Sequence, residues 1–461
     1  MTRPTMIGAL FLTVLPSTAF SAGFYALDEG IRAIGRAGAF TAGADDLTAQ
    51  YYNAAALKNQ TGTAFMFDLA AVQQAVTFDH RDITDIDEAD YNYDPVKNQA
   101  LPMPVPTISF GRRMGEKLVL AVGLYTPYGA SYKYDPDGAQ RYSLVDATML
   151  QTNIGPSMSY EITDMITLGL GVAGSYFSVD QSLKSSLNFD PSYNPEFDAT
   201  FLIEVVDPFT ITSNVGLLIE PPSGKFALGI SFNPPTTYNA RGAMSGDFSE
   251  NSLYTGEAEM GKQLDTDSAS DEDVALTVTM PAIAKVGFLI RPTDRLELEA
   301  DFVWQGWSSV QSFTITDVEL TVPTTLKEDI VVTDDVGLPA NMEDAWSIRL
   351  GAEFDQSEGL ALRTGLFYET SAVPDATRSV FLPDANKFGY GLGASWGALE
   401  RLTLDFGFSQ AFAPTHTIAT SLAYQVNVNT LTNEIGTGAT VGNGDFGFVT
   451  TIAGLGATWA M

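Results

Sequence analysis

Four basic side chains, Lys285, Arg349, Arg363 and Lys387, belong to a chain that has few of them. It carries 24 Lys and Arg against 56 Asp and Glu, for a net charge of −32 over 461 residues. A cation on a polar face shielded from bulk water can take a carboxylate through charge-assisted hydrogen bonds. Parity of the flanking residues puts Glu297, Glu299, Asp301, Glu353 and Asp405 on the same kind of face, and buried charges are usually paired. Nucleophilic catalysis has little to draw on, because there is no Cys and the two His, His80 and His416, stand in no elbow motif beside a Ser. The same scarcity argues against a thiolate or imidazole metal centre, so no catalytic residue, metal or cofactor is expected. The acidic balance would repel the phosphates of nucleic acid.

The elements that must position these cations are strands. In Leu150 to Tyr160, LQTNIGPSMSY, the even positions are largely apolar and the odd ones are Gln, Asn, Gly and Ser, which is the period of a strand with one dry and one wet face. Leu296, Leu298, Ala300, Phe302 and Trp304 alternate in the same way with Glu297, Glu299, Asp301, Val303 and Gln305. Six short polar turns fall near 115–117, 163–164, 222–224, 292–294, 357–359 and 397–400. Between them lie seven long connections, near 79–101, 130–147, 180–212, 242–279, 312–345, 370–386 and 412–446. Thirteen connections join fourteen strands, and regular alternation of short turns with long loops marks an outer-membrane barrel. Tyr160, Trp304, Trp307, Trp396 and Trp459 are expected to flank its apolar band, and TTIAGLGATWAM to close it.

No apolar run reaches the roughly 18 to 20 residues of a membrane-spanning helix. The first residues, MTRPTMIGALFLTVLPSTAFSAGF, have an early Arg3, an apolar run from Met6 to Leu15 and small residues at Ala19 and Ser21, the layout of a secretory signal peptide over 1–21. The acidic run from Glu250 to Asp273 reads as a solvated loop. Both His fall at or beyond the outer strand ends and are expected to be exposed.

Residues 22–62 differ from the rest, being rich in Ala and Gly and helical in pattern. They hold Gly23-Phe24, Gly35-Arg36-Ala37, Ala44-Asp45-Asp46 and Asn53-Ala54-Ala55, and farther on come Tyr125-Thr126-Pro127-Tyr128-Gly129, Arg141-Tyr142 and Thr364 to Gly393. In this order these segments resemble the FadL-type family of outer-membrane hydrophobic-compound transporters. Asn53 is followed by Ala where the family has Pro, and the chain ends in Met461 where such barrels commonly end in Phe.

The resemblance implies an all-β, 14-stranded antiparallel transmembrane β-barrel over 63–461, with residues 22–62 as a helical plug in its lumen, in the outer membrane of a Gram-negative bacterium. It implies transport of long-chain fatty acids, or else of aromatic or other small hydrocarbons, by loop capture, lumen binding and lateral release through a kinked third strand. Pro127, Tyr128 and Gly129 are the expected gate, since Pro removes a ladder donor and Gly bends readily. Phe24 and Arg36 match family positions near the plug's start, while Asp45, Asp46 and Asn53 are expected to fix its fold. Capture would fall to Phe189, Tyr193, Phe197, Phe201, Leu202, Ile203 and Phe209, which make Ser186 to Phe209 apolar for a loop. The ligand carboxylate would go to Lys285, Arg349, Arg363 or Lys387. The expected partners are the hydrophobic ligand and outer-membrane lipid, with the chain acting as a monomer. A diffusion porin is the less favoured reading, because an open pore has no use for a plug.

Overall fold

A computed structural model of the protein describes residues 28–81, 83–84, 90–186, 195–247, 274–316, 319–322, 330–333, 336–429 and 434–461. The signal-like leader, Phe24, Phe189, Tyr193 and the acidic run up to Asp273 from position 250 lie outside them.

Fourteen strands form a closed antiparallel barrel. They are β1 (Thr63–His80), β2 (Met103–Met114), β3 (Leu118–Lys133), β4 (Asp146–Glu161), β5 (Ile166–Ser186) and β6 (Asp198–Ile219). Two broken strands follow, β7 (Phe226–Asn233 and Thr236–Asp247) and β8 (Val274–Met280 and Ile283–Thr293). The rest are β9 (Leu296–Gln305), β10 (Ala345–Ser357), β11 (Leu360–Glu369), β12 (Lys387–Leu399), β13 (Leu402–Phe412) and β14 (Gly444–Ala460). β1 pairs with β14 from Ala64↔Ala460 to His80↔Gly444, which closes the ring. Closure leaves no open edge, as lipid requires. The breaks in β7 and β8 fall at Pro234-Pro235 and Pro281, where the ladder loses donors.

Burial alternates residue by residue along most of the wall, interrupted in β3 and β6. On β9, Leu298, Ala300 and Phe302 face outward while Glu299, Asp301 and Val303 are buried in the lumen. The six short turns stand within a residue or two of their expected positions.

The connection expected over 180–212 is mostly strand. β5 has 21 residues and β6 has 22, about twice the 9–11 needed to cross a bilayer, so the hairpin projects beyond the membrane. The in–out alternation simply continues there, and a polarity criterion cannot see it because both faces meet water or protein. Two further expectations are corrected. Trp307 lies inside rather than in the aromatic band, fully buried, with its Nε1 donating to Gln305 at 2.9 Å and its ring edge-on to Tyr128. His80 is buried rather than exposed, against Phe78.

Inside the ring sit α1 (Ile31–Gly35), α2 (Ala49–Tyr52) and a 3₁₀ turn, Ala54–Asn59. Helices of 5 and 4 residues do not hold themselves together in water; the barrel wall holds them. Lumen-facing glycines make the close approach possible: Gly351↔Gly365↔Gly391 and Gly393↔Gly407↔Gly454 stand opposite one another on successive strands. A Cβ at Gly365 would overlap the Arg36 carbonyl, and one at Gly391 the carbonyl of Ile34.

Candidate functional site

The plug's short helices leave many backbone N–H groups without helical partners, and acids of the wall accept them. Asp301 takes the amides of Phe40 at 3.0 Å and Thr41 at 2.9 Å, Glu299 takes those of Ala42 at 2.6 Å and Gly43 at 3.1 Å, and Asp68 takes that of Ile31 at 2.9 Å. Arg36, wholly buried, bonds Glu297 at 2.7 Å and Glu299 at 2.8 Å. Arg32 joins Asp45 at 2.8 Å to Asp405 of β13 at 3.1 Å. Asp46 accepts from the Thr48 amide at 2.8 Å. Asn53 accepts from the Ala55 amide at 3.1 Å while its Nδ2 donates to the carbonyls of Thr41 and Leu217, so it caps the turn without a following proline. The interior acids thus hold the plug, and they compete with any ligand for the interior cations.

Three of the four carboxylate candidates are already paired. Arg349 binds Asp28 at 2.6 Å and Glu369 at 3.2 Å; Arg363 binds Glu353 at 2.6 Å; Lys387 binds Glu369 at 2.6 Å and Asp384 at 3.4 Å. Lys285 differs. Its side chain is buried, and its Nζ has no hydrogen-bond or carboxylate partner among the described residues. It lies 4.1 Å from the ring centre of Tyr51 and 4.7 Å from that of Tyr52, both on the plug.

β3 is irregular at the segment picked out from the sequence. Its pairing with β4 jumps from Tyr125↔Asn153 to Tyr128↔Gln151, leaving Thr126 and Pro127 without opposite residues. On its other edge the β2–β3 ladder stops at Ile108↔Leu124, although β2 runs on from Thr107 to Met103 paired with β1 alone. The wall reseals farther out, where Asn98 Nδ2 donates to the Ser131 carbonyl at 3.1 Å and the Gln99 amide to that of Lys133 at 2.7 Å. Between these points the side chain of Met103 lies against Gly129.

Just beyond Gly129 an apolar cavity opens in the outer half of the lumen. Ala130 and Tyr132 of β3 line it with Met149, Phe177, Ile203, Val278 and Phe313; Tyr132 and Gln181 supply the polar side-chain atoms. The expected groove does not assemble as a loop surface. Phe201 is buried on the lumen side of β6, next to cavity-lining Ile203, with Leu202 on the opposite face. Phe209 faces outward, because the register shift opposite Asp207 reverses which residues point in. Phe197 lies in a 3₁₀ turn before β6. Arg141 and Tyr142 clamp this hairpin instead, bonding Asp198 at 2.8 Å each.

His416 Nε2 lies 2.7 Å from Asp375 on the outer surface. The wall glycines, the cavity and the pair Asp28-Glu29 were missed by sequence reasoning. Only the glycines had a local signal, their recurrence at inward-facing positions of successive strands.

A profile of the outer membrane protein transport family, described as OMPP1/FadL/TodX, matches residues 12–442. Outer membrane protein P1 of Haemophilus influenzae is 23% identical over 325 residues, which are 66% of this chain, and the chain spans 65% of the length of that relative. A FadL homologue from Pseudomonas aeruginosa superposes with a TM-score of 0.74 at 17% identity, covering 95% of this chain and 100% of that one. The Pseudomonas putida toluene transporter TodX superposes with a TM-score of 0.64 at 14% identity, covering 97% and 100%. With its barrel, its plug and a match over nearly its whole length, the chain belongs to the OMPP1/FadL/TodX family of outer-membrane transport proteins of Gram-negative bacteria.

Proposed function

We propose that the protein takes up long-chain fatty acids, captured by the outer connections, bound in the lumen and released sideways through the wall at β3. The carrying observation is an apolar cavity together with the buried Lys285, whose Nζ has no hydrogen-bonded or ion-paired carboxylate among the described residues. Val278 lines the cavity and precedes Lys285 by seven residues across the break in β8 at Pro281, so the two are at most about 23 Å apart. That span suits an extended acyl tail in the cavity with its carboxylate at Lys285, in place of the two tyrosine faces. The parted ladder between β2 and β3 borders the cavity through Ala130 and supports lateral release at Pro127, Tyr128 and Gly129. A closed barrel pairs its own edges, so the chain needs no partner strand to complete its sheet, which supports a monomer.

A second reading keeps the fold and changes the cargo to an aromatic or other small hydrocarbon. The absence of charged side chains among the described residues that line the cavity favours it. A general diffusion pore does not suit a plug bonded to the wall on so many sides.

The test is uptake of labelled oleate, labelled toluene and a small sugar by cells that lack their own transporter and express this protein. Oleate accumulates, and Lys285→Met lowers its uptake about tenfold with toluene unchanged. Uptake of toluene without oleate moves the cargo to hydrocarbons, and sugar entry restores the porin.

A further inference from the structure

The plug touches the parted strands through one carboxylate. Glu29 Oε1 accepts the Thr126 amide at 2.5 Å and Oε2 accepts the Thr107 hydroxyl at 2.8 Å. Thr107 is the β2 residue next after the last β2–β3 pair, and Thr126 is one of the two β3 residues that the register jump leaves without opposites. Glu29 therefore bridges both edges of the gap at the level where the ladder ends, buried to 2% exposure.

Its neighbour points the other way. Asp28 has φ 56°, a left-handed conformation that Asp tolerates better than most residues. Its two oxygens bond Arg349 on β10 at 2.6 and 2.8 Å. β10 is seven strands from β3 in a ring of fourteen, so the adjacent carboxylates tie opposite walls across the lumen. Behind Arg349 the charges continue through Glu369 and Lys387 to Asp384, which accepts the Ala372 amide at 2.7 Å in the outer connection after β11.

We infer that Glu29 is the positioning residue of the β2–β3 opening: it staples the base of the gap to the plug, with Asp28 and Arg349 as the anchor on the far wall. Moving the tie away leaves the buried Thr126 donor without its acceptor, and the two strand edges then meet at the ladder that ends at Ile108↔Leu124 and at the outer seal by Asn98 and Gln99. This inference rests on the lateral-release reading.

The experiment uses the full chain folded in lipid vesicles with labelled oleate as the probe. Amide exchange at Thr126, oleate affinity and the rate of oleate transfer into the vesicle bilayer are measured for wild type, Glu29→Ala and Glu29→Gln. Glu29→Ala raises exchange at Thr126 about tenfold and changes the transfer rate by about as much, while affinity moves less than about twofold. Glu29→Gln keeps an acceptor oxygen and restores most of the protection. Thr107→Val, which removes only the second arm of the staple, changes transfer in the same direction and guards against a Glu29→Ala variant that fails to fold. Unchanged exchange at Thr126 in Glu29→Ala, or raised exchange with unchanged transfer, overturns the inference. The double variant Pro127→Val with Gly129→Val separates the two readings: if it transfers oleate normally, lateral release itself fails. If it is blocked while the Glu29 variants behave as wild type, only the staple falls.

Discussion

Arg36 of the plug lies 2.8 Å from the Glu299 carboxylate on β9, and the other oxygen of Glu299 accepts the Ala42 amide at 2.6 Å. One wall acid thus neutralises a plug cation and satisfies a plug amide, so plug and barrel share an electrostatic and a hydrogen-bonding requirement. Replacing Arg36 by Ala leaves Glu299 buried without its cation, while Glu297 keeps Arg291 at 3.0 Å; losing one partner of a buried pair costs about 3–5 kcal/mol. Limited proteolysis of the folded protein is expected to cleave the plug in Arg36→Ala while the barrel remains resistant. Glu299→Gln, which removes the charge but keeps an acceptor, is expected to be milder.

Glycines on the wall make room for the plug, and filling that room expels it. Gly391→Val puts side-chain atoms where the Ile34 carbonyl lies, while the strand gains a residue that suits β structure. The barrel therefore folds and keeps its resistance to detergent. Single-channel recording is expected to show a stable conductance in Gly391→Val where the wild type is closed.

Straightening β3 tests the route rather than the binding. In Pro127→Val with Gly129→Val the strand regains an amide donor, and the new side chain at 129 meets Met103 across the gap. Oleate still binds the folded protein with an affinity within about twofold of wild type, since the cavity lining is unchanged, but delivery to the cell falls about tenfold or more. Equal delivery by the double variant sends the ligand along another path.

Burial pushes the Glu29 carboxyl up from its ordinary 4.5 to about 7, against the bonds donated by Thr107 and Thr126. Asp28 raises it further and Lys285 opposes. When the plug leaves the wall, Glu29 returns to water and its ordinary value. The docked state then holds the proton more tightly, so its contribution to docking is full below pH 4.5, declines as pH rises towards about 7 and is level above. Amide exchange of residues 28–40 is expected to speed up across that window, and Glu29→Gln to flatten the slope. A slope unchanged by Glu29→Gln assigns it to another group.

The barrel was legible in the sequence because strand periodicity is local. Alternation in Leu296 to Gln305 and the six short turns follow from neighbours in the chain, and lipid outside with a polar lumen inside leaves each face one environment. The plug was legible through composition and family resemblance, and the irregularity in β3 through Pro127 and Gly129. Other features arise from residues far apart. Parity put four cations in the lumen, but which of them lacked an acid depended on Asp28, Glu353, Glu369 and Asp384 reaching three and leaving Lys285 to two tyrosines. Phe201 and Phe209 share a strand and a parity, yet they face opposite sides because a register shift between them belongs to the pairing of β5 with β6. Glu29 and Thr126 are separated by 97 residues. No pattern within either segment announces their bond, because it exists only once the ring has closed around the plug and brought a carboxylate to the amide of a residue that the bulge leaves without an opposite.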